Sequence, residues 1–169
     1  PFYEGHSIVT AETASTLFES LVFEKLLGQV PEKDKGLLIH DKLAQNVATI
    51  QRQIAFFNCE FEIHDTVMKQ GNMTNSELRD CMYRHLRSYL GPAVDLSKHD
   101  GYSYVYVPHF RYGFYVYTYT VGILLSTIMT KRYLEDASYL DKIDAFLEAG
   151  ESNWVKNIYP TKQAKMVFR

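Results

Sequence analysis

Two groups of side chains in this sequence could do chemistry, and the first is a pair of carboxylates. Glu12 lies within residues 11–16, on a largely apolar segment with a helical pattern, and Glu19 follows two helical turns later on the same face. A carboxylate that faces a helix-packed interior must be paired, protonated or bound to a metal ion. Glu12 is therefore a candidate metal ligand. The alternative, a solvated or salt-bridged carboxylate, is favoured by the rarity of buried carboxylates.

The second group is a histidine followed by three tyrosines. His109 lies at a predicted helix start, where exposed backbone amides favour a neutral imidazole ring. Tyr112, Tyr115 and Tyr119 follow at positions i, i+3 and i+7, which would place their hydroxyls on one face of that helix. Each buried hydroxyl needs a hydrogen-bond partner. The face therefore indicates either a polar-lined site or an aromatic core with satisfied hydroxyls, and the spacing leaves both open.

One further histidine and the two cysteines carry weaker signals. His64 lies on the apolar stripe of a long predicted helix, where a histidine is more often a hydrogen-bonded core residue than a ligand. Cys59 and Cys81 form no metal-ligand spacing, so the sequence predicts neither a cysteine zinc site nor a disulfide framework. A reducing cytoplasm is then the expected compartment.

The elements that must position these groups are predicted to be helices. Ser7 is placed to cap a first helix that reaches Leu27, and Gly28 is placed to stop it. A longer helix follows and ends near Gly71. Its apolar residues recur at alternating steps of four and three, a pattern typical of a stripe that packs along one face. The stripe comprises Leu43, Val47, Ile50, Ile54, Phe57, Phe61, His64 and Met68.

The second half of the chain is also predicted to be mostly helical. A capping box at residues 74–77 opens a helix that ends at Gly91. Residues 102–107 alternate tyrosine with serine or valine, which predicts a short extended stretch. A strongly apolar helix is expected over residues 108–134, and a last helix over residues 137–149. The predicted fold class is all-α, built from long packed helices.

Composition excludes several classes of function. The 169 residues suit one domain with a substantial core. The net charge of −2 gives no basic field for binding nucleic acid. The most apolar stretch, residues 121–129, is far shorter than the roughly 20 residues that span a bilayer, so no membrane partner is expected. Because the chain starts with Pro1 and shows no signal peptide, we expect part of a longer, cytoplasmic protein.

Four short segments together form a specific combination of motifs. They are residues 3–16, residues 56–64, residues 107–110 with the tyrosines and Gly122 that follow, and residues 146–150. In this order they resemble four parts of the oligoendopeptidase F and thimet oligopeptidase family of zinc metallopeptidases. These are the segment after the His-Glu-x-x-His helix, the Phe-x-x-Glu-Phe-Glu-x-x-x-His helix, the substrate-binding segment and a late motif. The likeness runs from about residue 3 to residue 150.

The resemblance implies both an activity and the residues that take part in it. It makes Glu12 the third protein ligand of a catalytic zinc ion. His109 and Tyr112 match the histidine and tyrosine that polarise the scissile carbonyl and hold the substrate backbone. Tyr119 matches a second tyrosine, which stabilises the tetrahedral oxyanion, and Tyr115 is expected to line the same cavity. The implied substrates are short peptides.

The chain also departs from the family pattern. It contains no His-Glu-x-x-His, so two zinc-binding histidines and the general base must come from an N-terminal remainder of the enzyme. Arg111 stands where relatives usually have tyrosine, and Tyr104 where many have tryptophan. Glu19 and His64 match second-shell or packing positions, and we expect both to be structural.

The resulting hypothesis treats residues 1–169 as the C-terminal part of a helical, zincin-like catalytic domain of a zinc endopeptidase. Alone, this part is expected to be inactive. The alternative hypothesis is a non-catalytic helical domain that binds a peptide or a partner, or a helical scaffold in which the tyrosines are only core.

Overall fold

The structure is a computed structural model that describes residues 7–150. Its α-helices are α1 (Ile8–Leu27), α2 (Glu32–Gln70), α3 (Asn75–Leu90), α4 (Tyr117–Glu135) and α5 (Leu140–Ala149). Short 3-10 helices cover Lys98–Val105, Pro108–Arg111 and Ala137–Tyr139. No strand occurs in the described part of the chain, so the all-α prediction is confirmed. Residues 3–6 of the first motif lie outside the described residues.

The described chain divides into two compact units, each with its own core. The first contains residues 7–44 and 121–150, and the second contains residues 45–120. The core of the first unit is formed by Leu17, Met129, Ile143 and Phe146. The core of the second unit is formed by Phe56, Cys59, Cys81, Met82, Leu86 and Val116.

Side-chain caps explain where α1 and α3 begin. Ser7 Oγ accepts a hydrogen bond from the backbone N–H of Thr10 at 3.1 Å. At α3, Thr74 Oγ1 accepts from the N–H of Glu77, and the Glu77 carboxylate accepts from the N–H of Thr74 at 2.7 Å. These bonds satisfy amides that have no partner within a helix. The backbone N–H and the hydroxyl of Thr74 both donate to the Glu77 carboxylate, which holds the pKa of Glu77 below its usual range. Both predicted helix starts are confirmed.

The face of α2 that packs is not the predicted one. Its buried residues are Gln53, Ala55, Phe56, Cys59 and Glu60. Most of the predicted apolar stripe is exposed instead, including Leu43, Val47, Ile54, Phe61, His64 and Met68. The stripe prediction is therefore wrong for the described part of the chain. Periodicity identifies a face that can pack, but it does not say which of two usable faces meets the neighbouring helices.

The predicted extended stretch over residues 102–107 is also wrong, because most of it lies in the 3-10 helix Lys98–Val105. Asp100 caps this turn by accepting a hydrogen bond from the N–H of Ser97 at 2.8 Å. The helix lies directly against α3, where a Cβ atom on Gly101 would be only 2.3 Å from the carbonyl oxygen of Arg79. A capped turn and a close backbone contact outweigh the alternation of tyrosines.

Two glycine substitutions test this packing. Gly101→Ala should destabilise the chain by about 1–3 kcal/mol, because the added methyl group meets the rigid backbone of α3. Gly36→Ala is the control, since that glycine lies inside α2 with no atom within 4 Å of an added Cβ. It should stabilise the chain by roughly 0.5–1 kcal/mol. Urea unfolding measures both values, and a Gly101→Ala variant as stable as the parent would contradict the packing.

Candidate active site

The segment that carries His109 and the three tyrosines is not one continuous helix. It begins with the 3-10 turn Pro108–Arg111, and α4 starts only at Tyr117, so the predicted helix over residues 108–134 is wrong in its first part. Gly113 and Phe114 interrupt it with φ angles of +57° and +52°. Glycine adopts this left-handed conformation freely, whereas a phenylalanine is strained there.

A buried carboxylate holds the strained turn in place. Glu60, on α2, is only 3% exposed, and its Oε1 accepts a hydrogen bond from the backbone N–H of Phe114 at 2.6 Å. The Phe114 ring also packs against Phe57 and His64, with ring centroids 5.7 and 4.9 Å away. Hydrogen bonds to a carboxylate are stronger than neutral ones. This bond and the ring contacts offset the strain at Phe114, and His64 contributes through packing.

Arg111, one of the departures from the family pattern, also fixes this segment. Its guanidinium donates a hydrogen bond to the carbonyl oxygen of Val105 at 2.8 Å. The bond ties the turn Pro108–Arg111 to the end of the preceding 3-10 helix.

The turn brings the four predicted site residues of this segment together. His109 Nε2 and the Tyr119 hydroxyl oxygen share a hydrogen bond of 2.9 Å. The Tyr115 ring lies 5.1 Å from the ring of His109 and 5.6 Å from that of Tyr119. The Tyr112 ring lies 5.9 Å from that of Tyr115. The four side chains therefore form one continuous cluster, although only Tyr119 lies on α4.

The exposure of these side chains suits contact with a bound molecule. Tyr112 is 68% exposed, and the other three are half-buried. Three phenol hydroxyls and an imidazole are the groups here that can donate hydrogen bonds to a carbonyl oxygen or to a developing oxyanion. Because His109 and Tyr119 already orient one another, little reorganisation is needed to present a donor. The cluster can thus bind a peptide carbonyl and stabilise negative charge on it.

A cleft of about 450 Å³ lies beside His109 in the second unit. Its walls include the apolar side chains of Phe56 and Pro108, together with Gln53 and Ser103. Gln53 Oε1 and Ser103 Oγ are buried without a hydrogen-bond partner within residues 7–150. An unsatisfied buried polar group costs free energy. These two atoms therefore mark positions where a bound polar group would be stabilised. Neither residue carries a spacing signal in the sequence.

Glu12 belongs to the first unit and is half-buried on α1. Helix α4 approaches it closely, because a Cβ atom on Gly122 would lie 3.1 Å from the backbone carbonyl of Glu12. A glycine lets two helix backbones come this near. The backbone of Glu12 is thereby fixed, which suits a metal ligand. Glu19, on the same helix, forms a salt bridge with Lys42, which accounts for it as a structural residue.

The donor set for a catalytic zinc ion is incomplete within residues 7–150. A carboxylate oxygen is a suitable ligand, but catalytic zinc takes three protein ligands and a water molecule. No group of three potential ligands that includes Glu12 occurs among residues 7–150. A zinc ion bound at Glu12 would therefore need two further protein ligands from outside residues 7–150.

Comparison with known proteins identifies the family. The model of peptidase family M3 matches residues 2–168. The chain belongs to peptidase family M3. It is 29% identical over 154 residues to Oligopeptidase PepF of Bacillus subtilis (strain 168), a match that covers 90% of the chain and 23% of that relative. It is 29% identical over 157 residues to the chromosomal Oligoendopeptidase F of Lactococcus lactis subsp. cremoris, covering 89% of the chain and 25% of the relative.

A solved structure agrees with this membership. The crystal structure of oligoendopeptidase-F from Enterococcus faecium resembles the chain with a TM-score of 0.72 and 28% sequence identity. The match covers 95% of this M3 chain and 30% of that structure. The resemblance to the oligoendopeptidase F family is thus confirmed. The chain spans about a quarter of the length of the curated relatives.

Within residues 7–150, no helix is both long and apolar enough to cross a membrane.

One residue of the site was missed from the sequence. Glu60 lies inside the second motif, yet its side chain was assigned no role. Its only signal in the sequence was its place in that motif, because the face of α2 that is buried could not be read from the apolar stripe. A carboxylate on a buried face must have a partner.

Two substitutions at Glu60 test whether it holds the turn. Glu60→Ala removes the acceptor for the N–H of Phe114 and should lower the free energy of unfolding by about 1–3 kcal/mol. Glu60→Gln is the matched control, because its side-chain carbonyl oxygen can still accept that hydrogen bond. It should lower the free energy of unfolding by less than Glu60→Ala does. Urea unfolding compares the two. An alanine variant no less stable than the glutamine variant would contradict the role of the hydrogen bond.

Proposed function

We propose that this chain supplies the carboxylate ligand and the oxyanion-binding side chains of a zinc endopeptidase that hydrolyses short peptides. The observation that supports this most directly is the cluster around the hydrogen bond between His109 and Tyr119, in a chain of peptidase family M3. Imidazole and phenol donors placed side by side are what peptide hydrolysis needs at the carbonyl oxygen.

Each residue has a distinct role in this proposal. Glu12 binds the zinc ion, which when bound supplies a Lewis acid and a water molecule of lowered pKa. Tyr112, the most exposed of the four, holds the substrate backbone, and His109 donates to the scissile carbonyl. The Tyr119 hydroxyl donates a hydrogen bond to the oxyanion as negative charge develops there. Tyr115, whose ring lies beside those of His109 and Tyr119, lines the substrate cavity.

The missing zinc ligands are proposed to come from an N-terminal part of the same enzyme. The exposed apolar residues of α2 support this, because four of them recur every seven residues and so form a seam suited to another helix. They are Val47, Ile54, Phe61 and Met68. Exposed apolar surface of this kind usually marks an interface. A reducing cytoplasm is kept as the proposed compartment, because the two cysteines of the sequence form no disulfide framework.

A second candidate function is peptide binding without hydrolysis. The cleft beside His109 supports it, since its unpartnered Gln53 Oε1 and Ser103 Oγ can accept hydrogen bonds from peptide amides. The two functions differ in outcome. A peptidase cleaves the peptide that enters, whereas a binding module returns it intact.

The role of Glu12 is tested in a hybrid enzyme, in which this chain replaces the matching segment of the Bacillus subtilis relative. The hybrid should cleave a quenched fluorescent peptide and carry near-stoichiometric zinc by mass spectrometry. Glu12→Gln should lose both properties, because a neutral amide oxygen is a far weaker zinc ligand. Glu19→Gln, the control on the same helix, should keep both. If zinc content and peptide cleavage are unchanged in Glu12→Gln, Glu12 is not a zinc ligand and the assignment is wrong.

The role of Tyr119 is tested in the same hybrid. Tyr119→Phe should lower kcat by roughly 100- to 1000-fold, as expected for loss of one oxyanion donor, and leave the zinc content unchanged. Tyr117→Phe is the control, because that ring meets Phe57 edge-on at 6.4 Å and its activity should stay near the parent value. Loss of zinc in Tyr119→Phe would indicate a structural role. A hybrid that binds peptide but never cleaves it would favour the second candidate.

A further inference from the structure

Four side chains with metal-binding atoms converge where α2 packs on α3, within the second unit. Cys59 and Glu62 lie three residues apart on α2, and Cys81 and His85 lie four residues apart on α3. Residues with these spacings lie on the same face of a helix. The sequence-based prediction of no cysteine zinc site considered the cysteines alone, and it missed the carboxylate and the imidazole that accompany them.

The ligand atoms lie close together. Cys59 Sγ and Cys81 Sγ are 3.7 Å apart, and His85 Nε2 is 2.8 Å from Glu62 Oε2. The potential ligand atoms of Glu62, Cys81 and His85 all lie within 4.8 Å of one another. From this geometry we propose that Glu62, Cys81 and His85, with Cys59 as the fourth ligand, form a structural site for zinc or a similar divalent cation.

Three ligands are clustered, the Cys59 sulfur adjoins them through Cys81 Sγ, and two of the distances are close to those of a tetrahedral zinc site. With zinc–sulfur bonds of about 2.3 Å, two sulfur ligands lie about 3.8 Å apart, close to the separation of the two cysteine sulfurs. Nitrogen and oxygen ligands of the same ion lie about 3.3 Å apart, so His85 and Glu62 need to separate by only about half an ångström. A mixed set of sulfur, nitrogen and oxygen donors is typical of zinc rather than of calcium or magnesium.

Burial and charge also suit a bound cation. The two cysteines are fully buried, while His85 and Glu62 are partly exposed and leave a path for the ion to enter. Zinc binding displaces one proton from each thiol, and His85 binds in its neutral form. Two thiolates and one carboxylate then exceed the charge of the ion by one. Arg84 offsets this excess, because its guanidinium already pairs with the other oxygen of Glu62.

The site would clamp α2 to α3 next to the turn that carries the candidate active site. Cys59 directly precedes Glu60, the residue that holds the N–H of Phe114. A metal that fixes Cys59 therefore also fixes the carboxylate that shapes the turn. This metal is separate from the catalytic zinc, because it uses neither Glu12 nor any residue of the His109 cluster.

The test is a zinc titration of the 169-residue chain, reduced with a phosphine that does not bind the metal. One zinc ion per chain should remain after desalting, with two protons released per ion. When the free zinc concentration is a thousand times the Kd for zinc, the Tm of the chain should rise by roughly 10 °C. Cobalt in place of zinc should give thiolate-to-metal charge-transfer absorption.

Variants assign the binding to this site. Cys81→Ala and His85→Gln should lose the bound metal and the cobalt absorption. His85→Gln changes a partly exposed residue, and circular dichroism checks that it stays folded. Glu12→Gln and the exposed His40→Ala are controls that should keep the metal, so this proposal and the catalytic one can fail separately. The proposal would be overturned if the parent chain held no stoichiometric zinc, or if both variants retained zinc. It would also be overturned if Cys59 and Cys81 formed a disulfide in the presence of zinc.

Discussion

The hydrogen bond from the N–H of Phe114 to the buried carboxylate of Glu60 fixes the geometry on which the candidate active site depends. It pairs a buried charge with a backbone donor that the strained turn leaves without a helical partner. Each group would be costly to bury alone. Together they hold Gly113 and Phe114 in the left-handed conformation and delay the start of α4 to Tyr117.

The delayed helix start is what brings the imidazole and the phenol together. In one continuous helix, residues 109 and 119 would lie about 15 Å apart along the axis. In the structure, His109 Nε2 is 2.9 Å from the Tyr119 hydroxyl. Sequence spacing correctly predicted that His109, Tyr112, Tyr115 and Tyr119 belong together, but for the wrong geometric reason. A turn gathers them, and a helical face does not.

How much could be predicted from the sequence depended on whether the signal was local. The caps at Ser7 and Thr74 are local hydrogen-bonding patterns, and both helix starts were predicted correctly. The buried face of α2 depends on what packs against it, and an apolar stripe alone pointed to the wrong face. The positive φ of Phe114 could not be predicted, because a phenylalanine rarely adopts it and the acceptor lies 54 residues away.

Membership of peptidase family M3 and the geometry of the cluster support the same reading of the chain. Family membership supports a peptidase, and the structure brings the imidazole of His109 and the phenol of Tyr119 within hydrogen-bond distance. Glu12 is held by the close approach of Gly122, and the His109 cluster is held by Glu60. Both positions are thus set by backbone contacts and buried bonds, which is how a site keeps its geometry before substrate binds.

The most direct test of this account is amide hydrogen exchange at Phe114, measured by nuclear magnetic resonance. If its N–H is bonded to the buried carboxylate of Glu60, it should exchange roughly a hundredfold or more slowly than an unprotected amide, although it lies in a turn. Protection should disappear in Glu60→Ala and persist in Glu60→Gln. Exchange at the unprotected rate in the parent chain would contradict the account, because the turn would then be open and the cluster would have no fixed geometry.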